Sequence, residues 1–301
     1  MLSISNMNCI LIPTYPPHFQ YARKLIDSIR KFCQEDVTIY VATSTGEVFE
    51  HEHVLNFKGI ISSVLTIDVN ESELLTTVGH HSFQSIKKIL CVRYLSKQYK
   101  HVYVLDSEGL FLRPFLLSDI VSTKRIFYNS RQRHEGEYEA STYARILLKT
   151  NKCVPGWFLE NYLWVYNADI VHDFCNIVFP KEFTLADLFA FPKNVFIECA
   201  YYHHIYLNNH LYNYEFIDSY ETMKLYNIPV DRYITSHFSI LEDIRKFVTF
   251  GTIDSVARYF TDYKIINYKI EVNDVNLALL KKLPVVVINS GDFHIDFELT
   301  L

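Results

Sequence analysis

The run VYVLDSEGLFLRP, residues 102–114, decides the fold. Val102 and Val104 sit in an apolar, β-branched stretch that reads as a buried strand. It stops on two acids, Asp106 and Glu108, with Ser107 between them; a glycine and a second apolar run follow. Carboxylates that close repel one another unless positive charge lies between them. A strand that carries such a pair to its end is therefore expected to hold a cation there.

Working outward, the preceding hundred residues alternate. NCILIPT (8–14) is a short apolar strand stopped by Pro13, and Pro16 and Pro17 follow in a loop. FQYARKLIDSIRKF (19–32) repeats apolar residues at the helical period, as does SFQSIKKILCVRYLSKQY (82–99). VTIYVAT (37–43) and SVLTIDV (63–69) read as strands, and HVYVLD (101–106) is the strand of the motif. Strand, helix, strand, strand, helix, strand is the order of a mostly parallel sheet with crossover helices. Beyond residue 114 the alternation loosens. We expect a strand at 124–129, a helix at 136–150 and a strand running into a helix at 163–178. Helices at 182–191 and 195–209 are followed by a strand at 213–218. The tail mixes short helices with one apolar strand, PVVVIN (284–289). No repeat or linker interrupts the chain, so it reads as a single α/β domain over 1–301.

Composition narrows the function. The chain has 301 residues, 49 % of them hydrophobic, which suffices for a sizeable core. The net charge of −5 comes with scattered basic residues, which argues against a nucleic-acid partner. The six cysteines show no CxxC pair and no zinc spacing, so we expect reduced thiols in a cytoplasmic protein. MLSISNMNCILIP lacks the charged and long apolar regions of a signal peptide, and no stretch offers the ~20 apolar residues of a membrane span. With only 8 glycines, a Gly-rich phosphate cradle is not expected.

In parallel sheets ligands bind beyond the carboxyl ends of the strands. Asp106 and Glu108 lie at one such end, and Pro13, Thr14 and Tyr15 at another. Two hard oxygen ligands suit Mg²⁺ or Mn²⁺ held jointly with phosphates. The alternative is that Asp106 caps a turn and Glu108 faces water. Gln84, Lys87, Lys88 and Cys91 share one helical face, on which Lys88 reads as a surface residue. Glu198 lies among apolar and aromatic residues in FIECAYYHHIYLNN, a setting that raises a carboxyl pKa and suits a base or an acceptor grip; a structural partner is the alternative. Tyr201 and Tyr202 offer a stacking surface. His237, after a strand-like run, is a candidate third metal ligand.

CILIPTYPPHFQYARKLIDSI, followed about 90 residues on by a strand into Asp-x-acid, resembles the GT-A class of nucleotide-sugar glycosyltransferases. It is closer to a bacterial group whose pattern has a Gly, a Gln and a Lys on the helix before LDSD, then Phe and RP. Here these positions read Gly79, Gln84, Lys87, LDSE (105–108), Phe111 and RP (113–114), with Glu108 departing from the commoner Asp. The resemblance implies a GT-A-like sheet with a helix-rich C-terminal portion, a nucleotide-binding half over 1–115 and an acceptor side over 116–301. It implies a metal-assisted glycosyltransferase with a nucleotide-sugar donor and a glycan or lipid-linked glycan acceptor, in surface polysaccharide assembly. The setting would be the cytoplasm or, through peripheral association, the inner face of its membrane. On that pattern Asp106, Glu108 and His237 hold Mn²⁺ or Mg²⁺. Pro13, Thr14, Tyr15, Gln84, Lys87 and Ser107 bind the donor, and Glu198 with Asp106 serves catalysis. A sugar-phosphate nucleotidyltransferase and an inactive sugar- or nucleotide-binding member of the same fold are the rivals.

Overall fold

The computed structural model describes residues 7–107, 109–111, 114–122, 124–128, 130, 142–153, 156, 158, 164–193, 195–218 and 287–289. Its centre is a five-stranded sheet of β1 (Asn8–Pro13), β2 (Thr38–Thr43), β3 (Val54–Asn56), β4 (His101–Val104) and β7 (Trp164–Asn167). The spatial order is β3-β2-β1-β4-β7, parallel throughout except that β7 runs antiparallel to β4. Two smaller pairings flank it. β5 (Gly109–Phe111) pairs antiparallel with β9 (Val287–Asn289), and β6 (Arg125–Tyr128) pairs parallel with β8 (Glu215–Asp218). A mostly parallel sheet flanked by helices is the α/β class expected, and it is consistent with a GT-A-like fold.

Both sheet faces are covered, which explains why the strands read as unbroken apolar runs rather than alternating ones. Ile10, Ile12, Val41, Tyr103 and Leu105 pack on α1 (Phe19–Phe32), whose Ala22, Leu25, Ile26 and Ile29 form the facing stripe. Cys9, Leu11, Ala42, Val102 and Val104 point the other way, into the larger core. That core is built by α2 (Phe57–Leu65), α3 (Glu71–Val78), α4 (His80–Leu95), α7 (Ala168–Val178), α8 (Leu185–Phe189) and α9 (Ile197–Leu207). The other α-helices among the described residues are α5 (Leu117–Ser122), α6 (142–147) and α10 (Asn209–Tyr212).

Local chemistry sets the joints. Gly79 ends α3 and opens α4 at φ 81°, a left-handed conformation that an L side chain rarely adopts. Asn167 ends β7 and caps α7 at once, its Oδ1 accepting from the backbone N–H of Asp169 and Ile170. Thr184 and Asp187 close a reciprocal capping box on α8.

One expected strand is absent: 63–69 is the end of α2 and the loop after it, while the third strand is Val54–Asn56. Phe57, Ile60, Ile61 and Leu65 are buried at helical spacing, and Asn56 caps the helix through the Gly59 N–H. Helical burial there overrides the β-branched composition. The expected helix over 136–150 is found at 142–147, its first part lying outside the described residues.

Candidate active site

The strand order reverses between β1 and its neighbour β4, since β1 connects through α1 to β2 on the opposite side. Such a switch point opens a crevice at the carboxyl ends of the two strands. A cleft of ≈ 340 Å³ lies there, bringing together residues from four segments. Pro13 ends β1 and Tyr15 lies just beyond it, while Asp106 and Ser107 follow β4. Gln84, Ser85 and Lys88 come from α4, and Glu198 from the first turn of α9. His18, His80, His81 and Phe196 complete the wall.

The floor of the cleft is an ion-pair chain. Lys88 Nζ lies 2.8 Å from Asp106 Oδ1 and 3.2 Å from Glu198 Oε1. Ser85 Oγ donates to the other oxygen of Glu198 at 2.5 Å. Burial by itself lowers the affinity of Lys88 for its proton, but the two carboxylates and their hydrogen bonds outweigh it and hold the ammonium above its ordinary pKa. Lys88 is therefore the positive charge that the strand-end acid requires. Asp106 is the open member, its side chain 40 % exposed against 4 % for Glu198. Glu198 also sits in the positive field of a helix N-terminus, which favours a carboxylate.

The β1 side is held by a second set of bonds. Thr14 N–H donates to the Ala42 carbonyl at 3.0 Å, extending the β1–β2 pairing. The Tyr15 hydroxyl and His18 Nε2 are 2.7 Å apart, and His18 Nδ1 is 3.3 Å from Ser107 Oγ. One imidazole thus ties the end of β1 to the end of β4. The Tyr15 and His18 rings lie against each other with centroids 4.3 Å apart, His80 stands edge-on to Tyr15, and His81 leans on Phe196. A belt of rings borders the charged floor.

The expected residues divide accordingly. Pro13, Tyr15, Gln84, Asp106, Ser107 and Glu198 line the cleft together. Thr14 and Lys87 lie beneath it: Lys87 is fully buried and donates to the Thr14 carbonyl at 3.0 Å and to Ser44 Oγ at 3.5 Å. The reading of Lys88 as a surface residue is overturned, because the helix turns Lys88 and not Lys87 towards the acids. Tyr201 and Tyr202 are buried rather than presented for stacking. Their hydroxyls accept from the Asn167 and Val165 N–H groups of β7. Glu108 and His237 lie outside the described residues. Ser85, His18, His80, His81 and Phe196 were not singled out by sequence. Ser85 alone had a usable signal, one turn before Lys88 on the same helix.

A divalent ion at this cleft would need an open carboxylate oxygen. Lys88 occupies Asp106 Oδ1 and leaves Oδ2 without a protein partner among the described residues. No group of three His, Cys, Asp or Glu comes together among them to enclose an ion by itself. An ion that keeps several waters and shares phosphate oxygens needs only one or two carboxylates, so a single open Asp oxygen fits it.

No protein-family model matches the chain, and no curated protein matches it. Among solved structures it is similar to mouse xyloside xylosyltransferase 1 in its apo form. That match has 9 % identity and a TM-score of 0.39, covering 70 % of this chain and 84 % of that one. It is also similar to the apo bifunctional glycosyltransferase WbbM, with 14 % identity and a TM-score of 0.34, over 61 % of this chain. The matched region spans 39 % of the WbbM chain. No helix among the described residues is long and apolar enough to cross a membrane.

Proposed function

We propose that the protein is a glycosyltransferase that moves a sugar from a nucleoside diphosphate to a hydroxyl of a glycan or lipid-linked glycan. The observation that carries this reading is the open carboxylate of Asp106. It stands at the end of β4, at the switch point of a parallel sheet, in a cleft whose floor holds a fixed ammonium. The motif resemblance to nucleotide-sugar enzymes points to the same residue.

On this reading Asp106 and Glu108 would hold Mn²⁺ or Mg²⁺ together with the donor diphosphate. When bound, the ion offsets charge on the departing nucleotide. Pro13 and Tyr15 border the nucleoside. The Gln84 amide reaches donor hydroxyls, and the Ser107 hydroxyl, oriented by His18, meets a phosphate oxygen. Thr14 and Lys87 act from below by fixing the end of β1. Surface polysaccharide assembly, in the cytoplasm or at the inner membrane face, is the setting that the motif group suggests.

Calorimetric titration with a panel of nucleoside diphosphates and triphosphates, with and without Mn²⁺, tests the reading. We expect diphosphate binding that Mn²⁺ strengthens, and Asp106→Asn should remove the Mn²⁺ dependence with little loss of melting temperature. A preference for triphosphates would point to nucleotidyl transfer instead. Absence of any metal-linked binding would reduce the chain to a binding scaffold.

A further inference from the structure

Glu198 was expected to act at the acceptor, as a base or a grip, yet its geometry in the cleft is that of a tether. A base needs a lone pair within reach of the proton it takes. Both Glu198 oxygens are engaged, one by Ser85 Oγ and one by Lys88 Nζ, and the side chain is 4 % exposed. Lys88 is a flexible four-carbon stem ending in three N–H donors. Two of these are taken by Asp106 and Glu198. Lys88 also lines the cleft, so its third donor is available to a ligand there.

We propose that Glu198 is a positioning residue: with Ser85 it holds the Lys88 ammonium against Asp106, so that Lys88 meets an anionic oxygen of the bound ligand. Without the ammonium, two buried or half-buried acids would repel an approaching anion. With it, the floor carries one net negative charge from two acids and one base. The ammonium is held from two sides, by a strand-end acid and by a helix-end acid. Loss of Glu198 leaves Lys88 tethered only by Asp106, and the stem regains rotamers that binding must then remove. Naming the anion a diphosphate rests on the glycosyltransferase reading; the positioning role does not.

A double-mutant cycle tests the coupling. Uridine and guanosine diphosphate, each with Mn²⁺, are titrated into wild type, Lys88→Gln, Glu198→Gln and the double variant. Each single change should weaken binding by about tenfold to a hundredfold, the scale of a hydrogen bond to a charged group. The double variant should bind no more weakly than Lys88→Gln alone, because Glu198 acts through Lys88. Glu198→Asp, which keeps the charge, should recover part of the loss. Additive losses overturn the proposal, as does a Glu198→Gln enzyme with unchanged donor affinity and a reduced kcat. If neither nucleotide binds wild type, the donor reading fails and the tether is read without ligand. Acetic anhydride should then label Lys88 about tenfold faster in Glu198→Gln than in wild type, by peptide mass, since a buried paired ammonium is shielded. Equal labelling overturns the tether, and this arm needs no Lys88 variant to fold.

Discussion

Lys87 and Lys88 are neighbours in sequence with opposite fates, and the reason lies in one 100° step of helix. Lys88 faces two acids across the cleft; Lys87 faces a carbonyl and a hydroxyl in the core. Burial pulls the Lys87 pKa down, and the carboxylates of Glu47 and Glu71 restore part of it. The native protein therefore gives up this proton more readily than the unfolded chain does. Between the lowered native pKa and the ordinary value of 10.5, the unfolded state holds the extra proton, so stability rises with pH in that window. Lys87→Met removes the buried charge and the rise with it. Urea midpoints at about pH 7 and about pH 10 should show wild type gaining on the variant as pH climbs. A variant that loses more than about 3 kcal/mol at neutral pH would mean that the ammonium is a needed partner of Thr14. The sequence could not separate the two lysines, because α4 is buried on most sides and leaves no clear polar stripe to orient it. Asp106, Pro13 and Tyr15 were legible for the opposite reason. They lie at or just beyond strand ends, and strand ends in a parallel sheet announce their own position.

At the scale of elements, β7 shows how an exposed edge is managed. It is the last strand of the sheet among the described residues, where its outward N–H groups have no strand to pair with. Val165 and Asn167, two residues apart, donate instead to the hydroxyls of Tyr202 and Tyr201 on α9, at 3.2 and 3.1 Å. The aromatic pair that suggested sugar stacking in the sequence is thus an edge cover, a role visible only once α9 is laid beside β7. Tyr201→Phe and Tyr202→Phe should each cost about 1–3 kcal/mol, the price of a buried donor left unpaired. Chemical unfolding reads that loss, and amide exchange at Val165 and Asn167 should quicken. Unchanged stability in both variants would show that water reaches the edge and replaces the hydroxyls. The same elements mark where sequence reading held and where it failed. The 163–178 strand-to-helix joint was legible because Asn167 both ends the strand and caps the helix. The 63–69 segment misled because it begins inside a helix whose buried positions, Phe57, Ile60 and Ile61, lie before it.

For the whole molecule, the buried histidines tie the fold to pH. His101 on β4 and His203 and His204 on α9 all have pKa values lowered by burial, and Lys100 and Arg145 depress His101 and His203 further. His203 shows the largest effect, reaching about 4 from an ordinary 6.5, and its Nε2 is buried without a hydrogen-bond partner among the described residues. All three bind protons less readily in the native state than in the unfolded chain. Above the ordinary histidine pKa both states are neutral and the full stability is present. As pH falls below about 6.5 the unfolded chain takes up protons that the native state refuses, and stability drains away until His203 titrates near pH 4. For His203 alone the loss is roughly 3 kcal/mol across that window. His203→Leu puts an apolar side chain in the α9 core and removes both the titration and the orphaned nitrogen. The variant should be no less stable than wild type at about pH 7. It should retain roughly 2 kcal/mol more than wild type at about pH 4.5, measured by urea unfolding at each pH. Parallel losses in the two proteins would place the acid sensitivity in groups other than His203.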